Sequence, residues 1–328
     1  MQGLAISEVP KLWTLARSSL YPAVRSRYAM ATLDIDARGG GTPLPPMLQR
    51  PWLDDLSVVL LYDFGQHVSY ISQPVAEAWG AAEDEIWAYA FHNLKTLPRP
   101  RWEAAPSGLC RLVSDSGYEE TFVLLDDMRA RLKFSSAALL ALPNRGVLLA
   151  ADARDPAATG ALIDTARHHL QETPWPLSGS LIQRTRSGWQ RWDPSREHSA
   201  AAKTLQTLSL AHSYRDQKVA LDKLHERAGT ELFTASFALR HTDEPPHLRS
   251  YCVWTEGVDS LLPKADYLIF NRGAGGLHPD RLAVPWSVFE QLCGQYLERT
   301  SEAPIRYRAR SFPTDAEWLA VHRAAADP

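Results

Sequence analysis

The amino-acid sequence predicts an α+β protein made of two related modules, each a mostly antiparallel sheet with helices packed on one face. Short runs of β-branched and aromatic residues alternate with longer runs whose apolar residues recur at helical spacing. Clusters of Pro, Gly and Asn separate these runs, as turns do. The length of 328 residues, at about 150 residues per domain, gives two domains.

Composition narrows the class of protein. The chain has 35 Lys and Arg against 38 Asp and Glu, which argues against nonspecific nucleic-acid binding. It has no apolar run of about 18 residues, and its first residues lack a secretory signal, so neither membrane insertion nor secretion is expected. The three cysteines are far apart and odd in number, which is typical of reduced thiols in a cytoplasmic protein. The 11 tryptophans either pack in cores and edges or line a binding face.

The first 55 residues are expected to form a helix and a linker. Apolar residues recur at helical spacing over 7–30, where Pro22 ends or kinks the helix. A short strand is expected at 31–36, followed by a Gly- and Pro-rich loop or linker at 38–51.

The first module is expected over residues 56–193. Asp155 followed by Pro156 marks the start of a helix. Short connections that contain Gly65 or Gly146 indicate two hairpins. The predicted order is hairpin 57–64 and 67–72, helix 74–97, strands 109–114 and 121–125, hairpin 138–143 and 146–152, helix 155–173, and one or two strands within 177–192.

The second module is expected over residues 199–328, after a cluster of turn-forming residues at 193–199. It begins with a long helix that has Gly229 just past its end. The predicted order is helix 200–228, strands 231–240, 249–255 and 266–270, helix 286–300, strand 304–311 and a last helix near 314–325.

An internal repeat is indicated by register. The tripeptide Asn-Arg-Gly at 144–146 recurs at 271–273, and the ungapped windows 144–173 and 271–300 share six identities. The predicted helices and strands fall in a similar order at the same offset. These observations fit an ancient duplication, or a coincidence between two similar α+β patterns.

Three segments of the first module carry a family resemblance. They are SDSGYEETFVL at 114–124, ALLALPNRGVLLAAD at 138–152 and ARHHLQETPWPLSGSLIQRTRSGWQRWDP at 166–194. Over roughly 56–193, the chain resembles the YtpQ-like proteins, a bacterial family of unknown function. The resemblance implies a bacterial, cytoplasmic α+β protein. It brings no established reaction and no catalytic residues.

Alternating arginines in the segment IRYRARSF are the strongest candidates for a binding function. Because side chains two positions apart on a strand share a face, Arg306, Arg308 and Arg310 are expected to point to one side of a sheet. Arg184 and Arg186 alternate similarly in the first module. The planar guanidinium group of Arg can donate two hydrogen bonds at once to a carboxylate or a phosphate. The five side chains therefore either contact an anionic partner or lie on a solvated face with internal salt bridges.

Other polar clusters are weaker candidates. His241, Asp243, Glu244 and His247 form either a metal site or a polar hairpin loop. The glycine cluster at 273–276 forms either a turn or an anion-holding loop.

Two groups of acidic residues are also considered. A cluster with one basic residue could serve a metal-dependent nuclease or consist of a helix cap and ordinary surface charges; it contains Glu256, Asp259, Lys264 and Asp266. Asp34 and Asp36 would share one face of the strand expected at 31–36, where they could act as paired carboxylates.

No set of acids, bases and nucleophiles in the sequence forms a recognisable catalytic pattern. The sequence therefore favours a non-catalytic protein-interaction or adaptor protein with a regulatory, chaperone-like or toxin-immunity role. The alternative is a metal-dependent hydrolase or nuclease that uses acidic residues of the second module. A protein partner is expected, whereas a nucleic-acid partner, a membrane, a cofactor and a metal are not. The oligomeric state is not determined by the sequence.

Overall fold

Residues 8–273 and 280–326 are described in the computed structural model of the chain. Its contacts form two units: the first comprises Met1–Arg27 and Leu44–His198, and the second comprises Tyr28–Pro43 and Ser199–Pro328. The N-terminal region, expected to be a separate helix and linker, is thus divided between the two units.

The described residues form nine α-helices and eighteen β-strands, joined by short 3-10 turns. The helices are α1 (Trp13–Ala16), α2 (Arg27–Gly39), α3 (Gln73–Ala78), α4 (Glu83–Thr96), α5 (Asp126–Ala130), α6 (Pro156–Glu172), α7 (Arg196–Ala228), α8 (Trp286–Cys293) and α9 (Asp315–Ala326). The strands of the first unit are β1 (Leu20–Ser26), β2 (Gln49–Leu53), β3 (Leu56–Asp63), β4 (Val68–Tyr70), β5 (Arg101–Ala104), β6 (Cys110–Val113), β7 (Ala138–Ala141), β8 (Leu149–Asp152), β9 (Leu181–Thr185) and β10 (Gly188–Arg191). Those of the second unit are β11 (Phe233–Thr234), β12 (Ala238–His241), β13 (Leu248–Thr255), β14 (Ser260–Pro263), β15 (Tyr267–Arg272), β16 (Asp280–Pro285), β17 (Leu297–Arg299) and β18 (Arg306–Ala309).

The first unit contains two antiparallel sheets. In the smaller sheet, β3 pairs with β1, β2 and β4. The larger sheet has the order β10-β9-β7-β8-β6-β5, and α6 packs on β7 and β8. Asp155 caps α6 as expected, because its Oδ1 accepts hydrogen bonds from the N–H groups of Ala157 at 2.9 Å and Ala158 at 3.2 Å.

The second unit contains two four-stranded sheets. One has the order β11-β14-β18-β17 and the other the order β12-β13-β15-β16. The pairs β11–β14 and β13–β15 are parallel, and the other pairs are antiparallel. Helices α8 and α9 pack on one face of the β12-β13-β15-β16 sheet. The predicted α+β fold class, with mostly antiparallel sheets, is confirmed.

The strand expected at 31–36 and most of the helix expected over 7–30 are wrong, whereas residues 40–46 form a loop within the region 38–51 where one was expected. Where a helix was expected, β1 pairs with β3 along its whole length and buries Ala23 and Val24 completely. Where a strand was expected at 31–36, α2 buries Ile35 against Leu221 of α7. Local periodicity gave the wrong result because pairing and burial by distant segments decided both conformations.

Smaller differences have local causes. The helix expected over 74–97 is interrupted between α3 and α4, where Gly80 has a φ of +67°. Residues 119–124 form a 3-10 helix where a strand was expected. The helix expected at 286–300 ends at Cys293, and β17 occupies its last part. The hairpins β3–β4 and β7–β8 are confirmed.

The proposed repeat is visible only in part. In each unit the Asn-Arg-Gly tripeptide lies in or just after a strand of a hairpin, β7–β8 or β15–β16, and a helix follows. The strands after this helix differ, because β9 joins the sheet of β7, whereas β17 and β18 belong to the sheet of β14 and not to that of β15. Strand pairing therefore does not confirm a duplication, which stays a prediction.

Among the described residues, no helix combines the length and the apolar content needed to cross a membrane. The longest, α7, spans 33 residues but carries polar and charged side chains along its length.

Replacing Asp155 by Ala should lower the free energy of unfolding by about 1 kcal/mol, because the first turn of α6 loses its cap. Asp155→Ser should retain most of the stability, since a Ser hydroxyl accepts the same bonds. Chemical denaturation measures both. Asp164→Ala on the exposed side of α6 is the control, and an equal loss there would contradict the capping role.

Candidate functional site

The structure places Arg306 in the interior of the second unit, so the expectation that it shares an exposed face with Arg308 and Arg310 is wrong. Its side chain is fully buried. Its Nε donates to Gln217 Oε1 at 2.7 Å, and its Nη1 donates to the carbonyls of Ala235 at 2.8 Å and Leu261 at 3.1 Å.

Helix α7 completes this buried network. Arg306 Nη2 donates to the carbonyl of Tyr214 at 3.3 Å, and the guanidinium lies 5.2 Å from the centre of the Tyr214 ring. Burial lowers the pKa of Arg306 to about 10, so the side chain remains charged at neutral pH. Four neutral oxygens thus replace water around this cation, and they tie α7 to the strands.

Arg308 and Arg310 are engaged within the second unit. Arg308 makes a two-pronged contact with Asp259, with Nε and Nη2 at 3.0 Å and 2.6 Å from the two carboxylate oxygens. The Arg308 hydrogen bonds lower the pKa of Asp259. Arg310 follows β18 and forms an exposed ion pair with Glu298 at 3.1 Å. Any binding by these two side chains would compete with internal carboxylates.

The two arginines of the first unit do not alternate on one strand. Arg184 lies on β9, 3.5 Å from Asp126, and its guanidinium lies 5.8 Å from the centre of the Trp189 ring. Arg186 is exposed in the turn between β9 and β10. A binding role for Arg184 and Arg186 stays a prediction.

The tryptophans mostly serve packing. Ten of the 11 are buried or half-buried, and only Trp175 is exposed, at 63%. The alternative of a Trp-lined binding face stays a prediction, because the half-buried Trp52 and Trp189 both line one cavity of the first unit.

Two of the three segments that carry the family resemblance meet at the buried Glu120, which also forms an ion pair with Arg25. Arg25 Nη1 lies 3.0 Å from Glu120 Oε1, and the N–H of Gly146 donates to Glu120 Oε2 at 2.8 Å. Burial raises the pKa of Glu120, although the charge of Arg25 opposes this shift. The contacts join residues 114–124 to the β7–β8 hairpin, which is a structural role.

The acidic residues considered for metal binding have separate partners. Asp266 is bonded to Ser250, Asp259 to Arg308, and Glu256 to the N–H of Gly273. Within residues 8–273 and 280–326, no group of three or more His, Cys, Asp and Glu stands close enough to hold a metal ion.

Two further expectations change with the fold. Asp34 and Asp36 lie on α2 and not on a strand, and they pair with Arg38 and Lys223. Of the glycine cluster at 273–276, residues 274–276 lie outside the described residues.

The strongest candidate site lies on the β12-β13-β15-β16 sheet, on the face opposite α8 and α9. We call it the outer face. Side chains alternate along β13, so that Cys252 and Trp254 are buried in the core while Tyr251 and Val253 are on the outer face. The outer face lines a cavity of about 710 Å³. Arg240, Arg249 and Arg281, which the sequence analysis did not single out, all line it.

One end of the outer face is cationic and aromatic. Arg240 of β12 is opposite Arg249 of β13, so two guanidinium groups belong to the same row. In the next row, two residues further along β13, Tyr251 is opposite Tyr267 of β15. Both tyrosines are half-buried and line the cavity.

The other end of the outer face is apolar and then polar. Val253, Ile269 and Ala283 form the third row across β13, β15 and β16. In the fourth row, Asn271 lies between Thr255 and Arg281. The rows therefore run from arginine through aromatic and aliphatic side chains to a second arginine.

The arginines of this face are not ion-paired within the described part of the chain. None of Arg240, Arg249 and Arg281 forms an ion pair with a described carboxylate, although Glu244 also lines the cavity. Asn271 donates to Thr255 Oγ1 at 3.3 Å, but its buried Oδ1 has no hydrogen-bond partner among the described residues. The guanidinium groups can donate hydrogen bonds to an anionic ligand.

The aromatic core behind the sheet keeps the outer face in place. The ring of Trp254 lies 5.6 Å from that of Phe270 and 5.0 Å from that of Phe312, between ring centres. Such tilted and edge contacts fix the buried side chains of β13 and β15. The rows on the opposite face are therefore held in register by a rigid interior.

Asp266, immediately before β15, is hydrogen-bonded to β13. Its Oδ2 accepts hydrogen bonds from the Ser250 N–H at 2.8 Å and hydroxyl at 2.6 Å, and Lys203 lies 3.1 Å from Oδ1. Burial opposes ionisation of Asp266, but the bonds from Ser250 and the charge of Lys203 outweigh it and lower the pKa. Ser250 precedes Tyr251, so this contact supports the tyrosine row.

Comparison with known proteins gives no further guide to the site. No family model, no curated protein and no solved structure matches the chain. The resemblance to the YtpQ-like proteins stays an expectation from the sequence.

Asp266 should make the stability of the second unit depend on pH. A carboxyl whose pKa is lower in the folded than in the unfolded chain stabilises above the unfolded value, about 4, and this contribution is lost as the pH falls through the folded value. Asp266→Asn should therefore lower the free energy of unfolding at neutral pH and flatten its fall below about pH 4. Denaturation across this pH range measures both effects. Asp243→Asn, in the exposed β12–β13 loop, should leave the profile unchanged.

Replacing Arg306 by Gln should lower the free energy of unfolding by about 3 kcal/mol or more, because the carbonyls of Ala235, Leu261 and Tyr214 lose their donor. Arg308→Gln, two residues away, should cost less than about 1 kcal/mol because its ion pair is half-exposed. Chemical denaturation of both variants tests the difference, and equal losses would rule out the buried network as the main stabiliser of this strand.

Proposed function

We propose that this protein is a non-catalytic adaptor whose second unit binds an acidic segment of a partner protein on the outer face. The observation that supports this most is the set of three arginines that line one cavity without an ion-paired carboxylate among the described residues. Arg and Tyr are enriched in protein interfaces because they combine contact area with hydrogen bonds. Such a surface would suit a regulatory, chaperone-like or toxin-immunity role.

The distribution of charge favours a peptide over a nucleic acid. Arginines stand at the two ends of the outer face, and the two rows between them are aromatic and aliphatic. A nucleic acid carries a charge on every nucleotide and needs a continuous cationic track. A protein segment with separated acidic residues matches arginines at the ends, and its apolar side chains match the middle.

The proposal is tested with a fluorescent peptide of three leucines flanked on each side by two glutamates, which in an extended conformation places glutamate, leucine, leucine and glutamate on one side. Wild-type protein should bind it, and the double variant Arg249→Gln with Arg281→Gln should bind at least about tenfold more weakly, because each end loses a carboxylate contact. Fluorescence anisotropy measures the affinity. Binding should also weaken at about 1 M salt, where the Debye length is about 3 Å.

Two controls make this test specific. Arg310→Gln removes an exposed arginine outside the outer face and should leave the affinity unchanged. A peptide of three leucines flanked on each side by two lysines should not bind. Unchanged affinity of the double variant, or arginine-dependent binding of a thymidine oligonucleotide in place of the acidic peptide, would contradict the proposed function.

A further inference from the structure

The spacing of the arginines on the outer face defines a distance that a partner must match. Arg249 begins the series on β13, and Thr255, six residues later, is level with Asn271 and Arg281. At about 3.3 Å per residue, the two cationic ends are about 20 Å apart along the strands. A single small anion such as phosphate cannot reach both ends.

The rows between the two ends repeat every two residues. The tyrosine row at Tyr251 and the aliphatic row at Val253 are separated by about 6.6 Å, as are the rows on either side. An extended chain places every second side chain on the same side with this same repeat. A helix repeats about every 5.4 Å and loses register with the rows over about 20 Å.

We propose that the partner segment is an extended peptide of about seven residues, with carboxylates at its first and last positions and apolar side chains at its third and fifth. This inference rests on the proposed function. Arg240 and Arg249 receive one terminal carboxylate and Arg281 receives the other. The apolar side chains lie over the tyrosine row and the row of Val253 and Ile269. The order of acidic and apolar side chains in this peptide is the same when it is followed from either end. The proposed contacts therefore do not depend on whether the peptide runs parallel or antiparallel to β13.

The spacing is tested with two peptides of identical composition. In the spaced peptide, serines alternate with glutamate, leucine, leucine and glutamate, so the glutamates are at the ends. In the clustered peptide, both glutamates are adjacent at one end. Wild-type protein should bind the spaced peptide about fivefold more tightly, because the clustered peptide leaves one cationic end without a carboxylate. NMR titration measures both affinities.

Arginine variants identify which cationic end of the outer face accounts for the difference in affinity between the two peptides. Arg281→Gln should make the two affinities equal by weakening only the spaced peptide, whereas Arg310→Gln should preserve the difference. Both side chains are exposed, so neither replacement removes core packing, and the one-dimensional NMR spectrum checks that each variant is folded.

The possible results separate the two proposals. A wild-type preference for the spaced peptide that Arg281→Gln abolishes supports the spacing. Equal affinities for the two peptides, still reduced by Arg249→Gln, would refute the spacing and leave the proposed function standing. Failure of both peptides to bind at millimolar concentration would overturn both.

Discussion

The guanidinium of Arg306 is the buried charge around which the second unit is arranged. Removing a cation from water costs free energy, and here backbone carbonyls, one side-chain amide and an aromatic ring offset that cost. Its partners come from α7, from β14 and from the residue after β11. A single side chain thereby fixes the position of the long helix against one sheet. Gln217, which accepts from Arg306, also donates to the carbonyl of Pro304 at 2.8 Å and extends the same network.

The candidate binding face depends on the other sheet of this unit, where one set of strands serves two purposes. Alternate residues of β13 and β15 build an aromatic core on one side and a cationic, partly apolar surface on the other. The core side fixes the strand register, and the register determines the distance between the arginines. Hydrogen bonds between Asp266 and Ser250 also connect β13 to β15 at one end of these strands. Stability and recognition are therefore linked through register, although different side chains contribute to each.

The Asn-Arg-Gly tripeptide illustrates how the same residues acquire different roles. In the first unit, Asn144 Nδ2 donates to the carbonyls of Thr173 and Pro174, and Arg145 donates to the Tyr70 hydroxyl. In the second unit, Asn271 donates to a threonine side chain and Arg272 pairs with Asp315. Their position beside a hairpin is shared, but the contacts are not. Sequence identity at this point therefore reflects a common local context more than a common interaction.

The sequence alone determined the fold class, the capped helix α6, the long helix α7 and the main hairpins, because these depend on local periodicity, capping and turn residues. It did not determine β1 and α2, whose conformations follow from pairing and burial by distant segments. The alternation of arginines predicted that Arg306 lies on a strand. Only the tertiary structure decided that this side chain is buried, because a strand has two faces and the sequence does not say which one packs against the core. The outer face was missed for the same reason: alternation within 248–255 is visible in the sequence, whereas the grouping of Arg240, Arg249 and Arg281 requires the pairing of four strands.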